Sequence, residues 1–553
     1  MAIGYSSSQK SQDPAWANPV WARWIVPSVG DLIFVALLGV LVFTTLSVRL
    51  LGDAGIGWHI RTGQIILATH SVPRTDPFSS TMAGQRWFAW EWLYDMLAGG
   101  LDTAAGLNGV VLLTALIIAC TFSLAFFLLL RRGTNFMVAL ILTLLAASAS
   151  TIHFLARPHV LSWLFTILWF SILEPPEVDP SRSVSQSQGQ GKLWTLPLLM
   201  VLWVNLHGGF LVGLVLLGIF WLGALWQWLG LKEVHLEDIV EKAKAGRKVR
   251  DLSAVGIASA LATLVNPYGW HLHVHIYSYL SNRFLMDHID EFKSPNFHDV
   301  PQKCFAILLV LGFLAFAANQ KASHRLHTTQ ILIVLFALYS GLYASRNLPV
   351  SSLLLVLVIG PILSRSVLEV IEPTNLRQPT PPSEESSGPF LQRMQRVEMS
   401  RCGHLWPLIV LGVASWITFH GGMLGRIRLM DAHFSAEQFP VNAVDYLEKL
   451  DFPGPILAPD AWGGYFIYRL YPDRKVVVDD RHDLYGEPFL KEYLSFIHLE
   501  PDWTQFLEQH PAGCVVVPTN SAVATMLGVN SGWKLAYSDR VAHIYLRLNS
   551  SKR

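Results

Sequence analysis

Residues 52–80 read GDAGIGWHIRTGQIILATHSVPRTDPFSS, with Asp53, His59, Arg61, His70, Arg74 and Asp76 separated by glycines, apolar residues and a proline turn. Carboxylates and imidazoles can move protons, and a guanidinium can pair bidentately with a carboxylate or a phosphate. Comparable groups recur further along. They are Glu91 and Asp95 in WFAWEWLYD, His153, Arg157 and His159 in TIHFLARPHVLSW, Asn205 and His207 in WVNLHGGF, Asn266 in NPYG, Asp290 and Glu291 in DHIDEF, and Arg346 with Asn347 in YASRNLP. The first of these stretches follows directly on a span apolar enough to cross a bilayer, so its charges sit where a membrane ends.

The 553 residues are 52% hydrophobic and 15% charged, with a formal net charge of +1. That balance departs from soluble domains toward membrane proteins and gives no sign of a nucleic-acid partner. Cys120, Cys304, Cys402 and Cys514 are scattered and form no CxxC pair, so neither a disulfide framework nor a zinc–thiolate site is expected. The N-terminal MAIGYSSSQKSQDPAWANP is polar and lacks the apolar core of a signal peptide.

Apolar stretches at 31–51, 107–130, 135–150, 155–173, 193–206, 208–230, 252–267, 304–318, 327–343, 348–364 and 404–424 predict about eleven transmembrane helices. Threading the chain from side to side gathers the basic residues in one set of loops. These hold Arg131 and Arg132, Arg182 and Lys192, six residues between Lys232 and Arg250, Lys321 and Arg325, and four between Arg377 and Arg401. That set is expected to be cytoplasmic. The resulting organisation is a cytoplasmic segment 1–30, a transmembrane core 31–366, a disordered cytoplasmic linker 367–403, a last transmembrane helix 404–424 and an extracytoplasmic domain 425–553. The linker and the earlier VDPSRSVSQSQGQGK are rich in Ser, Gln and Pro and carry no chemistry of their own.

The side opposite the basic loops collects nearly every polar cluster of the core. One His or Arg at a helix end reads as an interfacial anchor, and Trp87, Trp90 and Trp92 read as belt residues. Several independent clusters on one side point instead to a polar cavity opening outward, because ionisable groups at membrane depth are costly without one. His153, His159, Asn205, His207 and Asn266 are its expected lining. The first loop is about 55 residues long, and WHIRTGQIILATH and WFAWEWLYDMLAGGL within it have the spacing of amphipathic helices lying on the membrane surface. Asp76 precedes a proline in the turn that joins them and is expected to cap it.

Residues 425–553 change period. NAVDYLEKL, GGYFIYRLY, PFLKEYLSFI, PDWTQFLEQH and SAVATMLG read as helices, GPILAP, KVVVDD and GCVVVP as strands, and WKLAYSD with VAHIYLRL as an antiparallel pair. That alternation predicts a small α/β domain on a mostly parallel sheet, without a nucleotide-binding glycine motif. Ligands of such sheets sit beyond the carboxyl ends of strands, where DDRHDLYG follows KVVV. Asp479, Asp480, Arg481 and Asp483 are therefore candidates, weighed against an Asp–Arg pair that merely closes a loop. Trp462, Gly463, Gly464 and Tyr465 offer close backbone approach beside an aromatic face suited to a sugar.

A first loop of two interfacial helices, beginning with an Asp just beyond the first span, resembles the C-type glycosyltransferase (GT-C) superfamily. Those integral-membrane enzymes take a sugar from a polyprenyl-phosphate or diphosphate carrier. The motifs GWHIRTGQII, VPRTDPFSST, GQRWFAWEWL, RPH, WVNLHGGF, NPYG, SRNLP and WGGYFIYRLYPDRKVVVDDRHDLYG more closely resemble a group of bacterial multi-pass proteins assigned to it. The resemblance implies a polytopic α-helical membrane fold with an added α/β domain, and Asp53 as base toward the acceptor or as a metal ligand. AWGGYFIYRLY sits where the oligosaccharyltransferase subunit carries WWDYG, but Gly464 replaces the Asp, so peptide recognition is not implied. No acidic DxD pair stands in the second outer loop.

Under this resemblance the catalytic candidates are Asp53, Glu91 and His59, and the donor-phosphate candidates are Arg61, Arg74, Arg157 and Arg346. Trp462, Gly464, Tyr465, Asp479, Asp480 and Arg481 would bind acceptor or cap the cavity. The outer histidines match no metal signature such as HExxH, which leaves Mg or Mn an open option. Implied partners are membrane lipid, a polyprenyl-phosphate sugar donor and a glycan, lipid or protein acceptor, at the outer face of the bacterial cytoplasmic membrane. A transporter or flippase for a lipid-linked or small solute, and a non-catalytic envelope-assembly protein, are the rival readings.

Overall fold

A computed structural model describes residues 24–174, 191–231, 236–321, 326–371, 394, 397–399 and 404–548. Most of segment 1–30, of linker 367–403 and of VDPSRSVSQSQGQGK lies outside these residues, so the expectations placed there are outside what is described.

Each predicted apolar span contains a helix. They are Val29–Phe43, continued by Leu46–Leu50, then Leu107–Arg131, Phe136–Ser150, His159–Leu173, Thr195–Leu206, Phe210–Gly230, Leu236–Ala262, Val300–Lys321, Thr328–Tyr343, Leu348–Ile371 and Leu405–Phe419. Among the described residues five helices are long and apolar enough to cross a bilayer alone, and five others are shorter but apolar. The chain is a multi-pass membrane protein. Leu236–Ala262 starts well before its expected span, because a charged helical stretch around Lys242 to Arg250 runs on without a breaker into the apolar half. The first helix starts on a capping box, in which Ser28 Oγ accepts from Asp31 N at 2.9 Å and Asp31 Oδ2 accepts from Ser28 N at 2.8 Å.

The first loop folds into the two expected helices, Ile56–Thr69 and Trp92–Ala105. They touch backbone to backbone at Gly63 and Gly99: a Cβ at Gly63 would lie 1.8 Å from the Asp95 carbonyl oxygen. Only glycine permits that approach, and it carries His59 against Asp95.

The C-terminal sheet runs in the order Ile456–Leu457, Cys514–Pro518, Ala542–Arg547, Trp533–Ser538. Only its first pair is parallel; the other two are antiparallel, which corrects the expectation of a mostly parallel sheet. The predicted strand KVVV forms only isolated bridges, from Val476 to Ile456 on one side and to Ser79 of the first loop on the other. Val476 N donates to Phe78 O at 3.3 Å, Ser80 N to Val476 O at 2.8 Å and Val477 N to Ile456 O at 2.8 Å. The first loop thus closes an edge of the C-terminal sheet that would otherwise stand open.

A second glycine contact fixes the two regions together. Helix Asp460–Leu470 lies on the start of Ile56–Thr69 so closely that a Cβ at Gly464 would lie 2.2 Å from the Ala54 carbonyl oxygen, and one at Gly57 2.1 Å from that of Gly464. Arg481, Asp76 and Asp479 form a buried triad beneath this contact, with Arg481 Nη1 2.8 Å from Asp76 Oδ1 and Nη2 2.7 Å from Asp479 Oδ2. The guanidinium lies over Trp87 and Phe78, 4.6 and 5.1 Å from their ring centroids.

Candidate functional site

Arg157 stands at the centre of the polar end of the bundle. The segment that carries it links Phe136–Ser150 to His159–Leu173 and is pinned by Ala156 N donating to Leu50 O at 2.7 Å. Arg157 Nη1 then meets Asp53 Oδ2 at 2.6 Å and stands 3.8 Å from Asp480 Oδ2. The other Asp53 oxygen accepts from Gly55 N at 2.7 Å, and Asp480 Oδ1 accepts from the Trp58 indole at 2.9 Å. Asp53 and Arg157 keep side-chain exposures of 26% and 25%, so a ligand can reach them. Burial works against the Arg157 charge, but Asp53 and Asp480 outweigh it and raise its pKa further. Burial raises the Asp480 carboxyl, with Arg157 opposing and Asp53 adding to the rise.

Arg346 flanks this centre, 3.1 Å from Glu291 and 4.5 Å from the Phe292 ring centroid. Burial would raise Glu291, yet Arg346 and then Arg157 hold it down at about 2.

A third group surrounds Glu91. Its Oε2 lies 3.8 Å from His59 Nε2 and its Oε1 3.7 Å from His207 Nε2. His59 Nδ1 sits 2.5 Å from Asp95 Oδ1, and both side chains are fully buried. His207 Nδ1 accepts from Gly209 N at 3.0 Å and meets Ser162 Oγ at 2.7 Å. Burial pushes Glu91 up to about 8 against the pull of Arg157 and Arg346. Burial, then the Glu91 charge, raises Asp95, and burial first and Arg157 second lower His59. Trp58, Trp87, Phe88 and Trp90 form a narrow cleft over this group, with Asp483 on its rim held 3.0 Å from His275 Nε2.

The structure therefore gathers Asp53, Glu91, His59, Arg157, Arg346, His207 and Asp480. His153 and His159 lie beside them, with His159 Nε2 2.8 Å from the His153 carbonyl and the rings 5.7 Å apart. Other candidates are engaged in holding the fold. Arg61 donates from both Nε and Nη2 to the Tyr468 carbonyl, tying the first loop to the C-terminal domain. Arg74 donates to Pro267 O at 3.1 Å and covers the Tyr268 ring. Asn205 accepts from the Trp92 indole at 2.7 Å and donates to Val201 O and Val265 O, while Asn266 builds the turn before Tyr268. Gly464 is buried against the first loop, Trp462 donates to Gln438 O at 3.1 Å, Tyr465 packs on Phe434 and Phe439, and Asp479 and Arg481 are buried in the triad, so none presents a surface to a ligand. Asp76 caps its turn as expected, accepting from Phe78 N and Ser79 N.

Among the described residues no group of three or more His, Cys, Asp or Glu side chains is gathered tightly enough to hold a metal ion. The donor set around Arg157 has a guanidinium where a cation would sit, so the chemistry proposed below is built on Arg157. Sequence reasoning left Trp58 and Ser162 out of the candidate site, noted Asp95 only beside Glu91, and placed Asp483 with the candidates of the C-terminal domain. Asp95 lies one helical turn after Glu91, which was a usable signal; the others depend on tertiary contacts.

Fold and site together describe a polytopic membrane protein whose polar centre is built by a first loop and walled by a fixed C-terminal domain. No protein-family model matches the chain, and no curated protein matches it in sequence. Solved structures do align. ArnT from Cupriavidus metallidurans bound to undecaprenyl phosphate matches 94% of this chain and 98% of its own, at 13% identity and TM-score 0.49. The archaeal oligosaccharyltransferase AglB from Archaeoglobus fulgidus, in complex with an inhibitory peptide and a dolichol-phosphate, matches 95% of this chain and 74% of its own, at 11% identity and TM-score 0.47. Arabinofuranosyltransferase AftD from Mycobacteria matches 94% of this chain and 41% of its own, at 13% identity and TM-score 0.45. At identities this low, what the present chain does has to be read from its own site.

Proposed function

We propose that this protein transfers a sugar from a polyprenyl-phosphate-linked donor to an acceptor at the extracytoplasmic face of a bacterial cytoplasmic membrane. The observation that carries this reading is Arg157: a reachable guanidinium, braced by Asp53 and Asp480 in an otherwise buried polar centre of a membrane protein. Glycosyl transfer from a lipid phosphate needs positive charge where the phosphate departs, a base for the acceptor hydroxyl and room for the lipid. Arg157 supplies the charge, with Arg346 as a second guanidinium nearby. Asp53 holds Arg157 in place and, as phosphate charge develops, gives up part of its claim on the guanidinium. A groove of about 540 Å³ beside the centre is lined by Trp92, Leu198, Leu202, Val265 and their neighbours, apolar enough to take part of a polyprenyl chain. The gathering of basic residues in alternate loops of the sequence supports the assignment of sidedness.

The test is turnover of a polyprenyl-phosphate-hexose by purified full-length protein. Arg157→Gln and Asp53→Asn are expected to lose about 100-fold or more, the scale of removing one charge-stabilising donor. Unchanged turnover in Arg157→Gln would sink the reading.

A further inference from the structure

Four carboxylates, Asp53, Asp480, Glu291 and Glu91, stand around the centre, and three of them have an oxygen already engaged by a donor. Asp53 has one oxygen on Arg157 at 2.6 Å and the other on Gly55 N at 2.7 Å. Asp480 accepts from Trp58 and faces Arg157, and Glu291 is paired with Arg346.

Glu91 differs. Among the described residues no guanidinium or ammonium lies within 4 Å of it; each of its oxygens instead faces an imidazole Nε2, at 3.8 and 3.7 Å. Both imidazoles are fixed from behind. Gly209 N donates to His207 Nδ1, and the Trp203 indole donates to Ser162 Oγ at 2.8 Å, which leaves the Ser162 hydroxyl hydrogen for the same Nδ1. A nitrogen that accepts from two donors carries no hydrogen, so the ring proton of His207 is on Nε2, toward Glu91. His59 is fixed by Asp95 at 2.5 Å, and its Nε2 has no partner although it is buried and aimed at Glu91. Glu91 lines the aromatic cleft, which has room for about one water, and its side chain is 11% exposed, so its proton can exchange with solvent.

We infer that Glu91 is the carboxylate that takes the proton from the acceptor hydroxyl, and that Asp95 through His59, and Ser162 through His207, are its positioning residues; this rests on the transfer reading above. The acceptor oxygen forms its bond to the anomeric carbon as the bond from that carbon to the phosphate oxygen breaks. The electron pair leaves on the phosphate beside Arg157, and the hydroxyl proton goes to Glu91. The groups facing Glu91 that set when it is ionised are His59, Asp95 and the Trp90 indole on the first loop, His207, Arg157, Arg346 and Asp483.

Two measurements on full-length protein decide this. Infrared pH titration of the donor-free protein is expected to show a carboxyl band that ionises between pH 7 and 9 by the sum of these contacts, is absent in Glu91→Gln and moves in midpoint in Asp95→Asn. Turnover of a polyprenyl-phosphate-hexose is expected to rise with pH through that same midpoint, and to fall about 100-fold in Glu91→Gln with polyprenyl-phosphate binding held within a factor of about three. Asp95→Asn and Ser162→Ala should each shift the pH limb and lower kcat, with KM for the donor unchanged. A merely structural role for Asp95 or Ser162 would leave the limb in place. Wild-type turnover in Glu91→Gln overturns the inference and leaves glycosyl transfer standing. A wild type that consumes no polyprenyl-phosphate donor while the infrared band behaves as described overturns the transfer reading and, with it, the acceptor hydroxyl as the source of the proton. A band unaffected by Glu91→Gln overturns the inference whatever the donor.

Discussion

Replacing Arg481 by Met should release the C-terminal domain from the first loop. The guanidinium is 2% exposed and is shared by Asp76, 3% exposed, and Asp479, fully buried. Asp479 Oδ1 also accepts from Arg481 N and Nε, and Tyr485 donates to Oδ2 at 2.9 Å. Methionine keeps much of the apolar contact with Phe78 and Trp87 but leaves two carboxylates buried without a cation. Breaking one partner out of a buried ion pair costs about 3–5 kcal/mol, on the order of 10 °C in the unfolding of a domain this size. Burial would raise the Asp76 carboxyl, but Arg481 and the Ser79 hydrogen bond hold it below its ordinary value. A depressed carboxylate contributes stability that is present above the unfolded pKa and lost as pH falls through the folded one. The deficit of Arg481→Met should therefore be full near neutral pH and shrink as pH falls below about 4, where the wild type loses the same pairing. Thermal unfolding followed by fluorescence and by proteolysis at the domain junction reads this out. Adding Asp76→Asn and Asp479→Asn should recover much of the loss, because the stranded charges go too. An Arg481→Met protein as stable as the wild type would refute the reasoning.

Three further outcomes follow from the same contacts. Gly464→Ala places a Cβ 2.2 Å from a backbone oxygen that cannot rotate away, so it should cost about 1–3 kcal/mol and expose the domain junction to protease, whereas Gly218→Ala, with open space around it, should do neither. Arg61→Ala removes the charged hydrogen bonds to Tyr468 O and should destabilise docking by about 1.5–3 kcal/mol while polyprenyl-phosphate binding stays unchanged; a matching loss of binding would return Arg61 to the phosphate site. Burial would lower the His482 imidazole, but its hydrogen bond to Asp460 at 2.8 Å raises it. Its stabilising effect should be full below about pH 6.5 and fade as pH rises through the raised value, so the stability gap between wild type and His482→Gln should narrow between pH 6 and 9 in urea unfolding; a gap constant with pH would contradict the pairing.

Periodicity and charge alone placed the helices, because span length and polarity are properties of single segments. Sidedness of the polar clusters was legible for the same reason, and it led to Asp53, Arg157, Arg346 and His207, which the fold does bring to one end. What the sequence hid was partnership. Arg61 and Arg74 have the residue type of a phosphate ligand, but a carbonyl of Tyr468, 407 residues away, and the ring of Tyr268 occupy them. KVVV has the composition of a strand, yet Val476 is left with single bridges because its partners on either side come from two different segments. The glycines of WGGY read as close backbone approach to a ligand; Gly464, with Gly57, is instead a surface on which the first loop and the C-terminal domain meet. Asp480 was chosen by the strand-end rule, and it does reach Arg157, although the strand that justified the choice is only a bridge.

The central claim is that bonds change at this site. The most direct test is to incubate purified full-length protein with a polyprenyl-phosphate-hexose labelled in the sugar and to resolve lipid products by mass spectrometry. The account predicts free polyprenyl phosphate appearing in step with sugar on an acceptor or on water, and its loss in Arg157→Gln. Labelled donor carried across a proteoliposome membrane with its sugar still attached would contradict it.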